Sequence, residues 1–125
     1  MRLLLDTHAL LWALGNDPTL RPGARSAIAD RANEVYVSAA SAWEMAIKAA
    51  AGRLETPPDL EAQLAHEGIR PLPITVAHGL AAGALPRLHG DPFDRMLVAQ
   101  ARTEGLVLVT RDRALGAYGL QVLEA

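Results

Sequence analysis

Short runs of consecutive apolar residues alternate along the chain with longer stretches in which apolar positions recur every three to four residues. The continuous runs Arg2 to Leu5 and Leu106 to Val109 have strand length and no polar face, the pattern of central parallel strands covered on both sides. Val35 to Ser38 is a shorter candidate strand, and Ile69 to Leu72 and Gln121 to Leu123 are weaker ones. Prolines flanking Ile69 to Leu72 push that strand toward a sheet edge. Between these runs the periodicity predicts helices over Thr7 to Leu14, Pro22 to Ala32, Ala39 to Ala51, Pro58 to His66, Thr75 to Leu85 and Pro92 to Glu104. Ser38 or Ser41 can cap the third helix and Gly52 ends it. Asp91 before Pro92 opens the sixth, and Gly105 closes it. Alternating strands and helices of this kind specify an α/β three-layer architecture, with a mostly parallel central sheet flanked by helices.

Composition narrows the reading. A chain of 125 residues and 13.3 kDa that is half hydrophobic and 21% charged builds one globular core, so one domain is expected over residues 1–125. The formal net charge of -2 supplies no global positive field for a nucleic acid. Eleven of the twelve cations are Arg, Lys48 being the exception, and genome base composition explains that bias as well as phosphate binding does. The absence of Cys removes disulfides, thiolate zinc sites and cysteine nucleophiles. The apolar run that begins at Leu3 meets Asp6 too early for a signal-peptide core, and Ala9 to Leu14 is far short of a membrane span, so a cytoplasmic protein is expected.

In an open α/β sheet a site lies beyond the carboxyl ends of the strands. Asp6 ends the first strand, Asp112 follows Val107-Leu108-Val109-Thr110 by two residues, and Glu44 lies in the helix after the Val35 strand. Asp94, in the first turn of the helix feeding the last strong strand, can reach the same edge. Each acid also has a purely structural reading. Asp6 and Asp91 suit helix N-caps, Asp94 suits the positive end of a helix dipole, Glu44 stands four residues before Lys48, and Asp112 is a loop acid between two arginines. Their convergence would be another matter: two carboxylates about 5 Å apart at an effective dielectric near 20 repel by about 3 kcal/mol. A cluster of four therefore demands protons or bound cations, and oxygen-only ligands select Mg²⁺ or Mn²⁺.

Other chemistry is sparse. The four histidines lack metal-ligand spacing and read as surface or satisfied core residues; His8, two positions after Asp6, is the one placed to line a site. There is no P-loop, because Gly79 to Gly83 lies in an Ala-rich helix without the required lysine. The five aromatics, Trp12, Tyr36, Trp43, Phe93 and Tyr118, fall mostly on predicted apolar faces, which assigns them to the core and argues against a base-stacking platform. Apolar stripes through Leu10, Leu11 and Leu14 and through Trp43 and Ile47 are likewise explained most simply by core packing.

Four stretches together resemble the PIN-domain ribonucleases, specifically the VapC-like toxins of bacterial toxin-antitoxin pairs. They are Leu4-Leu5-Asp6-Thr7-His8-Ala9-Leu10-Leu11-Trp12, Ser41-Ala42-Trp43-Glu44-Met45-Ala46-Ile47-Lys48, Asp91-Pro92-Phe93-Asp94-Arg95-Met96-Leu97-Val98-Ala99-Gln100-Ala101 and Val109-Thr110-Arg111-Asp112, in family order across almost the whole chain. The resemblance implies a parallel sheet between helices and an acidic pocket in which Asp6, Glu44, Asp94 and Asp112 are the catalytic, metal-binding carboxylates. Thr110 would contribute a hydroxyl nearby, and Asp91 would either cap the helix or assist. His8 departs from the Asn found in many PIN domains. The implied activity is a Mg²⁺- or Mn²⁺-dependent endoribonuclease in which a metal-activated water attacks phosphorus, leaving 3′-hydroxyl and 5′-phosphate ends. The implied partners are RNA, a small VapB-like antitoxin whose C-terminal segment covers the pocket, and a second copy in a homodimer. A noncatalytic PIN-like module that binds RNA or a partner is the alternative. An aspartyl phosphatase is weaker, because position 8 holds His where its second Asp should stand.

Overall fold

The computed structural model describes residues 1–125. Five strands, β1 (Arg2–Leu5), β2 (Glu34–Ser38), β3 (Ile69–Leu72), β4 (Val107–Thr110) and β5 (Val122–Glu124), form one sheet in the order β3-β2-β1-β4-β5. Every pairing is parallel. β1 lies at the centre, in register with β2 through Leu5↔Val37 and with β4 through Leu5↔Val109, so the three strands end at one level. Six helices connect them: α1 (Thr7–Leu14), α2 (Pro22–Ala29), α3 (Ala39–Ala50), α4 (Leu60–Glu67), α5 (Val76–Ala84) and α6 (Pro92–Glu104). The architecture is the α/β fold expected from the alternation of patterns, with the proline-flanked strand at an edge.

Period-two alternation divides the core. Leu3 and Leu5 face one side with Val35, Val37 and Val109, against Ala9, Leu10, Ala24 and Leu64 of the helices. Leu4 and Leu108 face the other, against Leu97, Val98 and Ala101 of α6. Leu10 is fully buried and Leu11 and Leu14 pack against the same cluster, as the first apolar stripe predicts.

Differences from the sequence reading are local and have local causes. α2 stops at Ala29 because the Asp30 side chain accepts from the Ala32 amide, an Asx turn that competes with the helix. α4 begins two residues late, at Leu60, since Asp59 takes a left-handed conformation (φ 48°) and accepts from the Ala62 amide. Thr75 is the N-cap of α5, in a capping box with His78. Ser38, not Ser41, caps α3. β4 and β5 each sit one residue later than the hydropathy pattern indicates, and a 3₁₀ turn at Arg113–Tyr118 lies between them.

One correction concerns α3. Core packing does not account for Trp43 and Ile47: Trp43 is 63% exposed, Ile47 45%, while Glu44 is buried with Ala40, Ser41 and Met45. Hydropathy alone orients this helix the wrong way round, because a buried carboxylate with two donors outweighs the burial of an indole. Trp12 and Phe93 are also only partly buried, Phe93 standing edge-on to Trp43 with ring centroids 5.4 Å apart.

Candidate active site

Parallel strands deliver the ends of β1, β2 and β4 to one edge of the sheet, and the chain supplies an acid at each exit. Asp6 leaves β1 and caps α1, its Oδ1 accepting from the Ala9 amide at 2.8 Å. Capping and site-lining are therefore one arrangement for this residue: the cap fixes one carboxylate oxygen while the group faces the cavity. Glu44 enters from the buried face of α3. Asp94 stands in the first turn of α6, whose N-cap Asp91 accepts from the amides of Phe93 and Asp94. Asp112 follows β4 and caps the 3₁₀ turn through Ala114.

These four acids line one cavity of about 340 Å³ together with Asp91, Thr110, Thr7, His8, Trp12, Lys48 and Arg111. Only one of its lining residues is hydrophobic. His8 lies on this wall as its proximity to Asp6 suggests. Asp91 caps α6 and is also part of the cavity lining.

The acids differ in how they are held. Glu44 is the most enclosed: the Thr7 hydroxyl donates to Oε1 at 2.6 Å and Lys48 Nζ to Oε2 at 2.7 Å. The i, i+4 pairing with Lys48 and membership of the acidic cavity are thus both true of Glu44. Asp6 has its carboxyl pushed above the ordinary range by burial; the Thr110 hydroxyl and the Ala9 amide oppose that shift, and the Glu44 charge adds to it. Asp94 is pushed up to about 6, again first by burial and then by the neighbouring Asp91, with His89 opposing and Asp6 and Glu44 adding smaller increments. Burial and neighbouring charge thus raise the proton affinity of two carboxyls that stand beside other acids.

Sequence reasoning missed one residue here. His89 Nε2 lies 3.1 Å from Asp112 Oδ2 and 3.6 Å from Asp94 Oδ2. One ligand atom from each of these three residues falls within 4.8 Å of the others. Nothing in the spacing of His89 announces this, because it depends on how the segment between α5 and α6 folds back over the end of β4. The position of His89 two residues before the Asp91-Pro92 helix start was the only available signal. His78, by contrast, is the satisfied core histidine that was expected, bonded to Glu104 and to the Thr75 amide.

Comparisons with known proteins bear on the family and the fold. The family model described as PIN domain matches residues 3–119. The chain is 38% identical over 120 residues to Ribonuclease VapC22 of Mycobacterium tuberculosis, covering 93% of this chain and 91% of that protein. Among solved structures, VapBC2 from Rickettsia felis bound to a DNA fragment from their promoter superposes with a TM-score of 0.72 at 15% identity, covering 98% of each chain. A toxin-antitoxin complex from Klebsiella pneumoniae gives 0.66 at 19% identity, covering 98% of this chain and 96% of that one.

Proposed function

The chain belongs to the PIN-domain family, and from that premise we propose that it is a metal-dependent endoribonuclease, the toxin of a toxin-antitoxin pair, acting as a single domain over residues 1–125. The observation that carries the reading is the convergence of Asp6, Glu44, Asp94 and Asp112, brought from four separate parts of the chain to one cavity at the carboxyl edge of the sheet.

The donor set fits a hard divalent cation. Carboxylate and hydroxyl oxygens, without thiolates, suit Mg²⁺ or Mn²⁺, and the raised proton affinity of Asp6 and Asp94 is the mark of charge waiting for a counterion. Asp6, Glu44, Asp94 and Asp112 would hold the ion, with Thr110 and Asp91 in support. A bound Mg²⁺ or Mn²⁺ supplies a lowered water pKa and countercharge for a phosphodiester under in-line attack.

The protein's own residues do the rest. The Ala9 amide fixes Asp6 at Oδ1, and Thr7 with Lys48 fixes the Glu44 carboxylate, so both acids meet substrate already oriented. Lys48 and Arg111 are the cationic side chains on the cavity wall, Lys48 paired with Glu44 and Arg111 donating to the Thr19 and Ala125 carbonyls. The substrate is RNA, consistent with the ribonuclease that this chain resembles over most of its length. The protein partner is a VapB-like antitoxin, as in the structurally similar VapBC complexes. A second copy of the chain is the other expected partner, and the outer face of α3 with Trp43 and Ile47 offers apolar surface for protein contact.

Incubating the chain with structured and unstructured RNAs in Mn²⁺ tests the reading. Cleavage that EDTA stops and that Asp6→Asn and Asp94→Asn both lose is expected. Full cleavage by both variants would contradict it, and RNA binding without cleavage in any metal would establish the noncatalytic alternative.

A further inference from the structure

We propose that His89 is a positioning residue of this site, a fixed Nε2–H donor that holds the Asp112 carboxylate toward Asp94. The inference rests on the metal-site reading of the cavity and adds to it a residue that the acids alone do not reveal. The backbone N–H of Asp91 donates to His89 Nδ1 at 3.2 Å. A neutral imidazole has one donor and one acceptor nitrogen, so with Nδ1 accepting, the ring hydrogen sits on Nε2. That nitrogen faces Asp112 Oδ2 at 3.1 Å. Although His89, Asp94 and Asp112 have the mutual spacing of a three-ligand metal site, this tautomer leaves no lone pair at Nε2 for an ion. The imidazole acts on the acids, not on the metal.

The ring is fixed from behind as well. Arg95 reaches back from α6 and donates to the Pro86 carbonyl at 3.0 Å and the Leu85 carbonyl at 3.1 Å, pinning the segment that carries His89. Little else holds the Asp112 side chain. Its side chain is 41% exposed against 28% for Asp94, and its only other side-chain restraint is the Ala114 amide on Oδ1. Repulsion from the neighbouring acids favours rotation of this carboxylate into solvent. Held at both oxygens, each of which keeps a second lone pair, it stays where a cation can use it. Partners that orient metal ligands typically change metal affinity by about 10–100-fold when removed.

Mn²⁺ affinity of the full chain, followed by the electron paramagnetic resonance signal of free Mn²⁺, tests this without reference to turnover. His89→Ala is expected to weaken binding about tenfold or more, and His89→Gln, whose amide N–H reaches a similar place, to restore most of the loss. In an Asp112→Asn background His89→Ala is expected to add little. Unchanged affinity in His89→Ala, with folding verified by circular dichroism, overturns the proposal. So does a loss that Gln fails to rescue and that adds fully to Asp112→Asn, the behaviour of a direct nitrogen ligand. Failure of the wild-type chain to bind Mn²⁺ at all overturns the metal-site reading itself, and the proposal with it.

Discussion

The two ends of the sheet treat charge in opposite ways. At the amino end Glu34 lies between Arg2 and Arg70, each at 3.0 Å, and the N-terminal ammonium donates to Asn33 at 2.7 Å. The cavity there is the larger of the two, about 410 Å³, and mixes Arg25, Arg31 and Arg70 with Asp30, Glu34 and Glu67. At the carboxyl end the cavity is smaller, yet five acids face two cations and a histidine across it. The two cavities therefore differ less in size than in charge balance. An exposed, mutually neutralised cluster adds at most about 1 kcal/mol. A cluster of like charges at a topological edge costs stability unless protons or cations offset it.

The sharpest way to break this contrast is to remove charge at the carboxyl end. Asp6→Asn or Asp94→Asn is expected to lower RNA cleavage by about 10³-fold or more, since several kcal/mol of charge stabilisation are lost with a metal ligand and each 1.36 kcal/mol is tenfold. Gel analysis of RNA products checks this, and the variants should retain the wild-type circular dichroism spectrum.

Adding the missing charge should have the next largest effect. Mn²⁺ at about 100 times its dissociation constant contributes about 2.7 kcal/mol to stability, which for a chain of this size raises the melting temperature by about 10 °C. EDTA should reverse the rise, and Asp94→Asn should lack most of it. A wild-type melting temperature indifferent to Mn²⁺ would remove the distinction between the two ends.

A smaller effect follows from the pH dependence of the metal-free protein. Asp94 is raised from 3.8 to about 6 in the folded state, so folding favours its protonated form. The stability this contributes is complete below about pH 4 and is lost as pH rises through about 6. Asp94→Asn removes that loss. Allowing for the partial exposure of the group, the metal-free variant should gain on wild type by about 1 kcal/mol between pH 5 and pH 7.5 in urea melts. A constant difference across that range would show that Asp94 carries no excess proton affinity.

The smallest effect belongs to the amino end. Glu34→Gln breaks two exposed ion pairs and should cost less than about 1 kcal/mol, diminishing further in high salt, with cleavage unchanged. A loss of cleavage in Glu34→Gln would mean that the two ends are coupled.

Much of this was legible in the linear pattern. The uninterrupted apolar runs at Leu3-Leu4-Leu5 and Leu106 to Val109 pointed to strands buried on both faces, and because parallel strands all exit the same way, the acids that follow them were expected at one edge. Side-chain period and strand direction are properties of the chain itself, so they can be read before folding. The orientation of α3 was not legible, because whether Trp43 or Glu44 turns inward depends on Thr7 and Lys48 waiting to bond a carboxylate, and Thr7 lies 37 residues away. Nor was the place of His89, which is set by Arg95 holding one loop and by Asp112 arriving on another. Covalent order fixes which residues alternate and where strands must end, whereas the pairing of polar groups across loops is decided only when separate segments close against one another, since a hydrogen bond depends on distances that no local pattern encodes.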